Sequence, residues 1–133
     1  MVEYFVGQLA KDAGINVESI RYYEKQGLLP KPKRRDSHYR IYDEVDLHRL
    51  LFIKRAKELG FTLKEIKELL RLRIDDDAKC GDIKHLTEQK LRDVENRIRD
   101  LKKIKTVLVK LIDQCINEEV SSEECPILES IKF

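Results

Sequence analysis

Short apolar patterns with helical spacing open the chain. Apolar residues fall on one helical face within residues 5–13, and Gly14 stops the pattern. Asn16 is placed to cap a second helix over residues 17–26, which Gly27 ends. Two short helices joined by a tight turn predict a helix-turn-helix unit.

The stretch after these helices breaks the helical pattern. Pro30 and Pro32 exclude a helix interior, and a dense basic run leads into Tyr39, Ile41 and Tyr42. This pattern predicts a loop or a small hairpin.

A second pair of helices is predicted next. Asp43 can cap a helix that Gly60 closes, with apolar positions at Val45, Leu47, Leu50, Leu51, Ile53 and Ala56. Thr62 and Glu65 have the spacing of a capping box, and they open a helix that contains Ile66, Leu69 and Leu70.

One long helix is predicted over residues 81–114. Its apolar positions follow a heptad seam in which Lys105 is the one polar position, and they are Leu91, Val94, Ile98, Leu101, Leu108, Ile112 and Cys115. The seam could pack on its own domain. Homodimerisation is the favoured interpretation, because the chain offers no second long helix.

Charge divides the chain into two halves. The net charge is +2 over 133 residues, but residues 1–73 have a net charge of +5 and residues 74–133 have −3. The two halves are therefore expected to face different partners. The length excludes a multi-domain enzyme, and the 39% of charged residues favours an elongated helical shape. We expect a cytoplasmic protein without membrane contact, since no leader and no apolar run of about 20 residues is present.

Three cysteines, Cys80, Cys115 and Cys125, all lie in the acidic half. Their odd number and wide spacing make a poor disulfide framework and favour a reducing compartment. Cys80 and Cys115 are five heptads apart, about 50 Å along one helix. An antiparallel helix pair with its two-fold axis near residues 97 and 98 would bring Cys80 beside the partner's Cys115, and the C-terminal turn could fold Cys125 onto the same place.

The three cysteines could each pack as a small hydrophobic residue. As a group they indicate a site for a soft, thiophilic ion, with two equivalent sites in each dimer. Hg(II), Pb(II) or Cd(II) suit three thiolates better than Zn(II), which usually takes four ligands in structural sites. His85 lies about one turn beyond Cys80 and could assist, although an exposed helix histidine is the simpler interpretation.

Cations alternate with tyrosines in the second helix and in the loop after it. The residues are Arg21, Tyr22, Lys33, Arg34, Tyr39 and Arg40. Arginine and tyrosine donate to phosphate oxygens, and the second helix of a helix-turn-helix unit enters the major groove of DNA. A charged run alone is usually a solvated surface, but its place between the two helices and the aromatic hairpin favours binding to double-stranded DNA.

The chain resembles the MerR family of metal-responsive transcription regulators. The residues behind the resemblance are residues 20–24 (IRYYE) with 27–29 (GLL), residues 39–42 (YRIY), and the run from Phe52 to Ile66. The resemblance implies a mainly α fold: a winged helix-turn-helix domain, a long antiparallel coiled-coil dimerisation helix and a short C-terminal metal-binding loop. It also implies a regulator that, once loaded with effector, distorts an overlong promoter spacer so that RNA polymerase can initiate.

The resemblance also assigns residues. It places Arg21 and Tyr22 on the recognition helix, Tyr39 and Arg40 in the wing, and Lys54 or Arg55 on a phosphate. Cys80, Cys115 and Cys125 match the three cysteines of the mercury-responsive branch, which bind three-coordinate Hg(II) from both protomers. Lead and cadmium sensors share much of this arrangement, whereas the zinc and copper branches look less similar.

We therefore divide the chain into a DNA-binding domain (residues 1–75), a linker and dimerisation helix (76–115), and a metal-binding loop and tail (116–133).

A redox- or drug-sensing regulator with the same DNA-binding half is an alternative, as is a metal-buffering protein or thiol enzyme. The first would need a larger effector domain or an iron-sulfur cluster. The second would need a nucleophile paired with a base, for which only His85 offers weak support, so an enzyme is not expected.

Overall fold

A computed structural model describes residues 3–35 and 39–131 of the chain. The first compact unit extends to His85, and its elements are α1 (Val6–Ala13), α2 (Val17–Lys25), β1 (Lys33–Arg35), β2 (Tyr39–Ile41), α3 (Glu44–Glu58) and α4 (Leu63–Ile74). The second unit begins at Leu86. It contains most of α5 (Cys80–Asp113), a 3-10 turn (Ser122–Glu124) and α6 (Pro126–Ile131). The predicted mainly helical fold is confirmed.

Side-chain caps fix where the helices begin. The Asn16 side chain accepts a backbone N–H of the first turn of α2 at 2.7 Å, as predicted. Thr62 and Glu65 form the predicted capping box, with bonds of 3.2 and 2.8 Å. Asp43 forms the same kind of box with Asp46, through two bonds of 3.0 Å. These local bonds set the start of three helices independently of tertiary packing.

Glycines mark the predicted helix ends. Gly14, Gly27 and Gly60 all have positive φ angles, which favour glycine. The ordered helices stop slightly earlier than the sequence pattern predicts, since α2 ends at Lys25 and α3 at Glu58.

The core of the first unit is built from one face of each of its helices. Leu9 of α1, Ile20 of α2, Leu50 and Ile53 of α3, and Ile66 of α4 have no exposed surface. Burial of each such side chain stabilises the fold by about 1.5–3 kcal/mol. The helix pairs therefore form one core, which holds α2 in place from its inner side.

A small hairpin lies between the two helix pairs, as predicted. β1 and β2 are antiparallel, with Lys33 opposite Ile41 and Arg35 opposite Tyr39. Tyr42 then exchanges two backbone hydrogen bonds of 2.8 Å with Tyr4. The end of the hairpin is therefore attached to the segment that precedes α1.

The second unit consists of the long helix and a short return segment. The Ser130 hydroxyl donates to the side-chain oxygen of Gln114, so α6 lies against the end of α5. Apolar side chains of α5 stay exposed, among them Leu101 at 63% and Ile112 at 67%. Among the described residues, no helix is both long and apolar enough to cross a membrane.

Candidate nucleic-acid interface and metal centre

α2 has a buried face and a polar outer face. Ile20 and Tyr23 are buried in the core, whereas Arg21 is exposed and Tyr22 is 48% exposed. Helical periodicity explains this division, because Ile20 and Tyr23 are three residues apart on one face. The two residues predicted to read DNA are thus both available on the surface of the helix.

A cationic groove separates α2 from the hairpin. It has a volume of about 470 Å³, and its lining residues are Arg21, Glu24, Lys25, Lys31, Pro32 and Arg40. Among the lining residues that the structure describes, four cations surround one acid, which favours an anion such as a DNA phosphate. Arg21 and Arg40, predicted separately from helix and wing, are therefore brought to the same groove.

Glu24 connects the recognition helix to the hairpin. Its side chain is 9% exposed, and Oε2 accepts a hydrogen bond from Arg40 Nη1 at 2.9 Å. Its other oxygen accepts from the hydroxyl of the buried Tyr42. Burial, and secondarily the bond to Glu24, raises the pKa of Tyr42 above its ordinary value. This carboxylate therefore orients Arg40 and binds α2 to the hairpin.

Glu24 was not among the residues predicted from the sequence to contact DNA. A signal was present, because Glu24 lies four residues after Ile20 and therefore on the buried side of α2. A carboxylate on that side needs a buried partner. Arg40 and Tyr42, in the segment of residues 39–42, were available as partners for the carboxylate.

Two lysines from the second helix pair reach the turns around α2. Lys54 Nζ donates to the carbonyl of Gly14 at 3.3 Å, and Lys67 Nζ donates to the carbonyl of Gln26 at 3.4 Å. Arg55 pairs with Glu58 at 3.1 Å on the surface of α3. The structure thus gives Lys54 and Arg55 partners within the protein, and their contact with phosphate stays a prediction.

Part of the predicted DNA-binding set lies outside the described residues. These are the side chains of Lys33, Arg34 and Tyr39, whose backbone belongs to the two strands.

The three cysteines are free thiols at the two ends of α5. Cys80 is the first residue of the helix and is exposed. Cys115 follows the helix by two residues and Cys125 follows the 3-10 turn, and both are partly buried. Lys79 N–H donates to the Asp82 carboxylate at 2.9 Å, which fixes the first turn around Cys80. Within the described part of a single chain, no three Cys, His, Asp or Glu residues form a metal-binding group.

The helix-turn-helix, the hairpin and the cationic groove define a DNA-binding transcription regulator. Residues 4–72 match the family described as MerR HTH family regulatory protein, and residues 47–111 match the family described as MerR, DNA binding. The chain belongs to the MerR family, which confirms the resemblance.

Relatives of known type cover nearly the whole chain. A mercuric resistance operon regulatory protein of Bacillus cereus is 44% identical over 98% of this chain and 98% of its own. The regulator ZntR of Escherichia coli K12 is 41% identical over 97% of this chain and 92% of its own. Both are transcription regulators rather than enzymes.

Solved structures give the same result. The transcription regulator PbrR691 from Ralstonia metallidurans CH34, in complex with lead(II), superposes with a TM-score of 0.85 at 38% identity, covering 96% of this chain and 98% of that one. The dual-function regulator MerR from Bacillus megaterium MB1, in complex with mercury(II), has a TM-score of 0.74 at 41% identity with the same coverage. The mercuric resistance regulator, ZntR and the lead(II)-bound PbrR691 are thus similar in identity to this chain.

Proposed function

We propose that the protein is a cytoplasmic, homodimeric, metal-responsive transcription regulator that binds double-stranded promoter DNA. In this proposal Hg(II) is held by Cys80 of one protomer and by the partner's Cys115 and Cys125, and the loaded dimer distorts the promoter so that RNA polymerase can initiate. The observation that supports the proposal most strongly is the placement of three free thiols at the two ends of one helix.

The donor set fits a soft ion. The sulfur atoms belong to reduced cysteines, and one of them is exposed at the helix start. Thiolates select soft metals, and three sulfur ligands without a carboxylate suit Hg(II). The bond between Ser130 and Gln114 supports the fold-back of the C-terminal segment, because it brings α6 to the same end of α5 as Cys115.

The position of Cys80 would couple metal binding to DNA binding. Cys80 follows the DNA-binding helices, with only five residues between α4 and α5. Attaching this residue to the partner's C-terminal segment therefore restricts the angle between the two DNA-binding units. A metal that binds one arrangement more tightly shifts the equilibrium by its differential affinity.

A different metal in place of Hg(II) is an alternative that the relatives support. Pb(II), Cd(II) or Zn(II) could act through the same thiols, since ZntR and the lead(II)-bound PbrR691 match almost as closely as the mercuric resistance regulator. A redox- or drug-sensing regulator of the same family would use none of these metals as its effector.

Native mass spectrometry with each of the four ions tests the effector. We expect two Hg(II) per dimer, and the ratio should fall to zero after Cys80→Ser or Cys115→Ser. His85→Ala is the matched control and should keep both ions. A mixed dimer of a Cys80→Ser chain with a Cys115→Ser, Cys125→Ser chain should keep one ion; none would contradict sharing between protomers.

DNA binding is tested separately. Arg21→Ala and Arg40→Ala should each weaken binding to a duplex selected from a random library and lower the slope of log affinity against log salt by about 1. Unchanged affinity in both variants would move the DNA-binding surface away from the groove.

A further inference from the structure

The apolar seam of α5 needs a cover that a single chain does not provide. All six aliphatic seam residues, from Leu91 to Ile112, are at least 38% exposed. The flanking positions of the same helix are charged in its middle and apolar towards its end. Such flanking residues decide which helix covers a seam and in which alignment.

In an antiparallel pair of identical helices, each flank meets the same flank of the partner. One flank contains Glu88, Glu95, Lys102 and Val109, and the other contains Lys90, Arg97, Ile104 and Leu111. Seam residues interlock only in alignments that differ by whole heptads. A shift of one helix by a whole heptad moves the two-fold axis by half a heptad. The axis can therefore lie near residue 96, between Arg99 and Asp100, or near residue 103.

The axis between Arg99 and Asp100 gives the best match of charges. Glu95 then faces the partner's Lys102, and symmetry makes this pair twice. Arg97 faces the partner's Ile104, so no like charges meet on either flank. Glu95 and Lys102 are both exposed in the single chain and are free to reach a second copy.

The neighbouring alignments bring like charges together. With the axis near residue 96, Glu95 faces the partner's Glu95 and Arg97 faces the partner's Arg97, which offsets the attraction that Glu88 gains from the partner's Lys102. With the axis near residue 103, Lys102 faces the partner's Lys102. Like charges across a helix interface are unfavourable, so both alignments are disfavoured.

We propose that reciprocal pairs between Glu95 and the partner's Lys102 fix the alignment of two copies of this chain and favour self-association. This inference rests on the proposed homodimer. The axis lies about two residues beyond the position that the cysteine spacing alone suggests. α5 ends at Asp113, so the partner's Cys80 then lies about 9 Å beyond the end of the helix, on the side of the C-terminal segment that contains Cys115 and Cys125.

Charge reversal tests the proposal. Glu95→Lys and Lys102→Glu should each weaken the dimer about thirtyfold, since two attractive pairs become repulsive. Both changes in one chain restore two attractive pairs, so affinity should return to within about threefold of the unmodified protein. Lys103→Glu, on the outer face of α5, is the matched control and should change little.

Dissociation constants would be measured by dilution of a fluorescently labelled protein at constant moderate urea, with circular dichroism confirming the helix content of each variant. The differences should shrink near 1 M salt, where the Debye length is about 3 Å. A double reversal weaker than either single change would overturn the alignment, as would a stronger dimer after Glu95→Gln. An unmodified protein that is monomeric would instead refute the homodimer itself.

Discussion

Replacing Glu24 by glutamine distinguishes two effects of this residue on DNA binding: the positioning of Arg40 and the negative charge near the groove. The amide keeps an acceptor for the Tyr42 hydroxyl but removes the negative partner of Arg40, whose Nη1 lies 2.9 Å from the carboxylate. Glutamine has nearly the same volume as glutamate, so the buried position is not emptied. The change therefore affects mainly the orientation of Arg40 and the charge near the groove.

The two effects on DNA binding have opposite signs. A hydrogen bond to a charged group contributes about 1.5–3 kcal/mol, and the 36% exposure of Arg40 reduces this to about 1 kcal/mol. Loss of that orientation should weaken binding about fivefold. For a phosphate bound in the groove at about 8 Å from Glu24, removal of the negative charge should strengthen binding by about 0.5 kcal/mol, or about twofold. The net expectation is a loss of about threefold, with a melting temperature lower by roughly 3–5 °C.

Binding would be measured by fluorescence anisotropy on a duplex selected by the unmodified protein. Glu44→Gln, an exposed acid at the start of α3, is the control and should not weaken binding. In an Arg40→Ala background only the charge effect is left, so Glu24→Gln should then strengthen binding about twofold. If Glu24→Gln strengthens binding in both backgrounds, Glu24 does not position Arg40.

Three further predictions concern the fold. Because the folded pKa of Tyr42 is raised, its neutral hydroxyl stabilises the protein fully below pH 10, and this stability is lost as the pH rises above that value; urea unfolding should show a smaller alkaline loss for Tyr42→Phe. Gly14→Ala should cost about 1–2 kcal/mol in thermal unfolding, because φ is +70° and the new Cβ would lie 2.6 Å from Lys54 Nζ. Leu50→Ala should cost about 2–5 kcal/mol in urea unfolding, and a cost below 1 kcal/mol would contradict its place in the core.

The helices could be predicted because their signals are local. Asn16 and Thr62 cap through bonds to residues three positions away, and Gly14 ends α1 with a conformation that few other residues adopt. The box between Asp43 and Asp46 has the same spacing, but the usual pattern has glutamate or glutamine at the second position.

Contacts between distant residues could not be predicted in the same way. Glu24 meets Arg40 across sixteen residues, and Lys54 meets the Gly14 carbonyl across forty. Such pairs depend on how the helices pack, which sequence periodicity alone does not determine. For the cysteines, the sequence predicts a three-thiol group, but the proposed geometry would need a second chain, so the metal site stays a proposal.

The alignment of two long helices and the proposed metal site depend on each other. A shift of one heptad moves the partner's Cys80 by about 10 Å along the helix, which is several times a metal–sulfur bond length. Charges in the middle of α5 would thus control ligands at its ends. Replacing both Glu95 and Arg97 by glutamine removes the attraction in the proposed alignment and the repulsion in its neighbour. We expect native mass spectrometry of this variant to find fewer than two Hg(II) per dimer. A dimer that keeps both ions would show that the apolar seam, rather than the charges, sets the alignment.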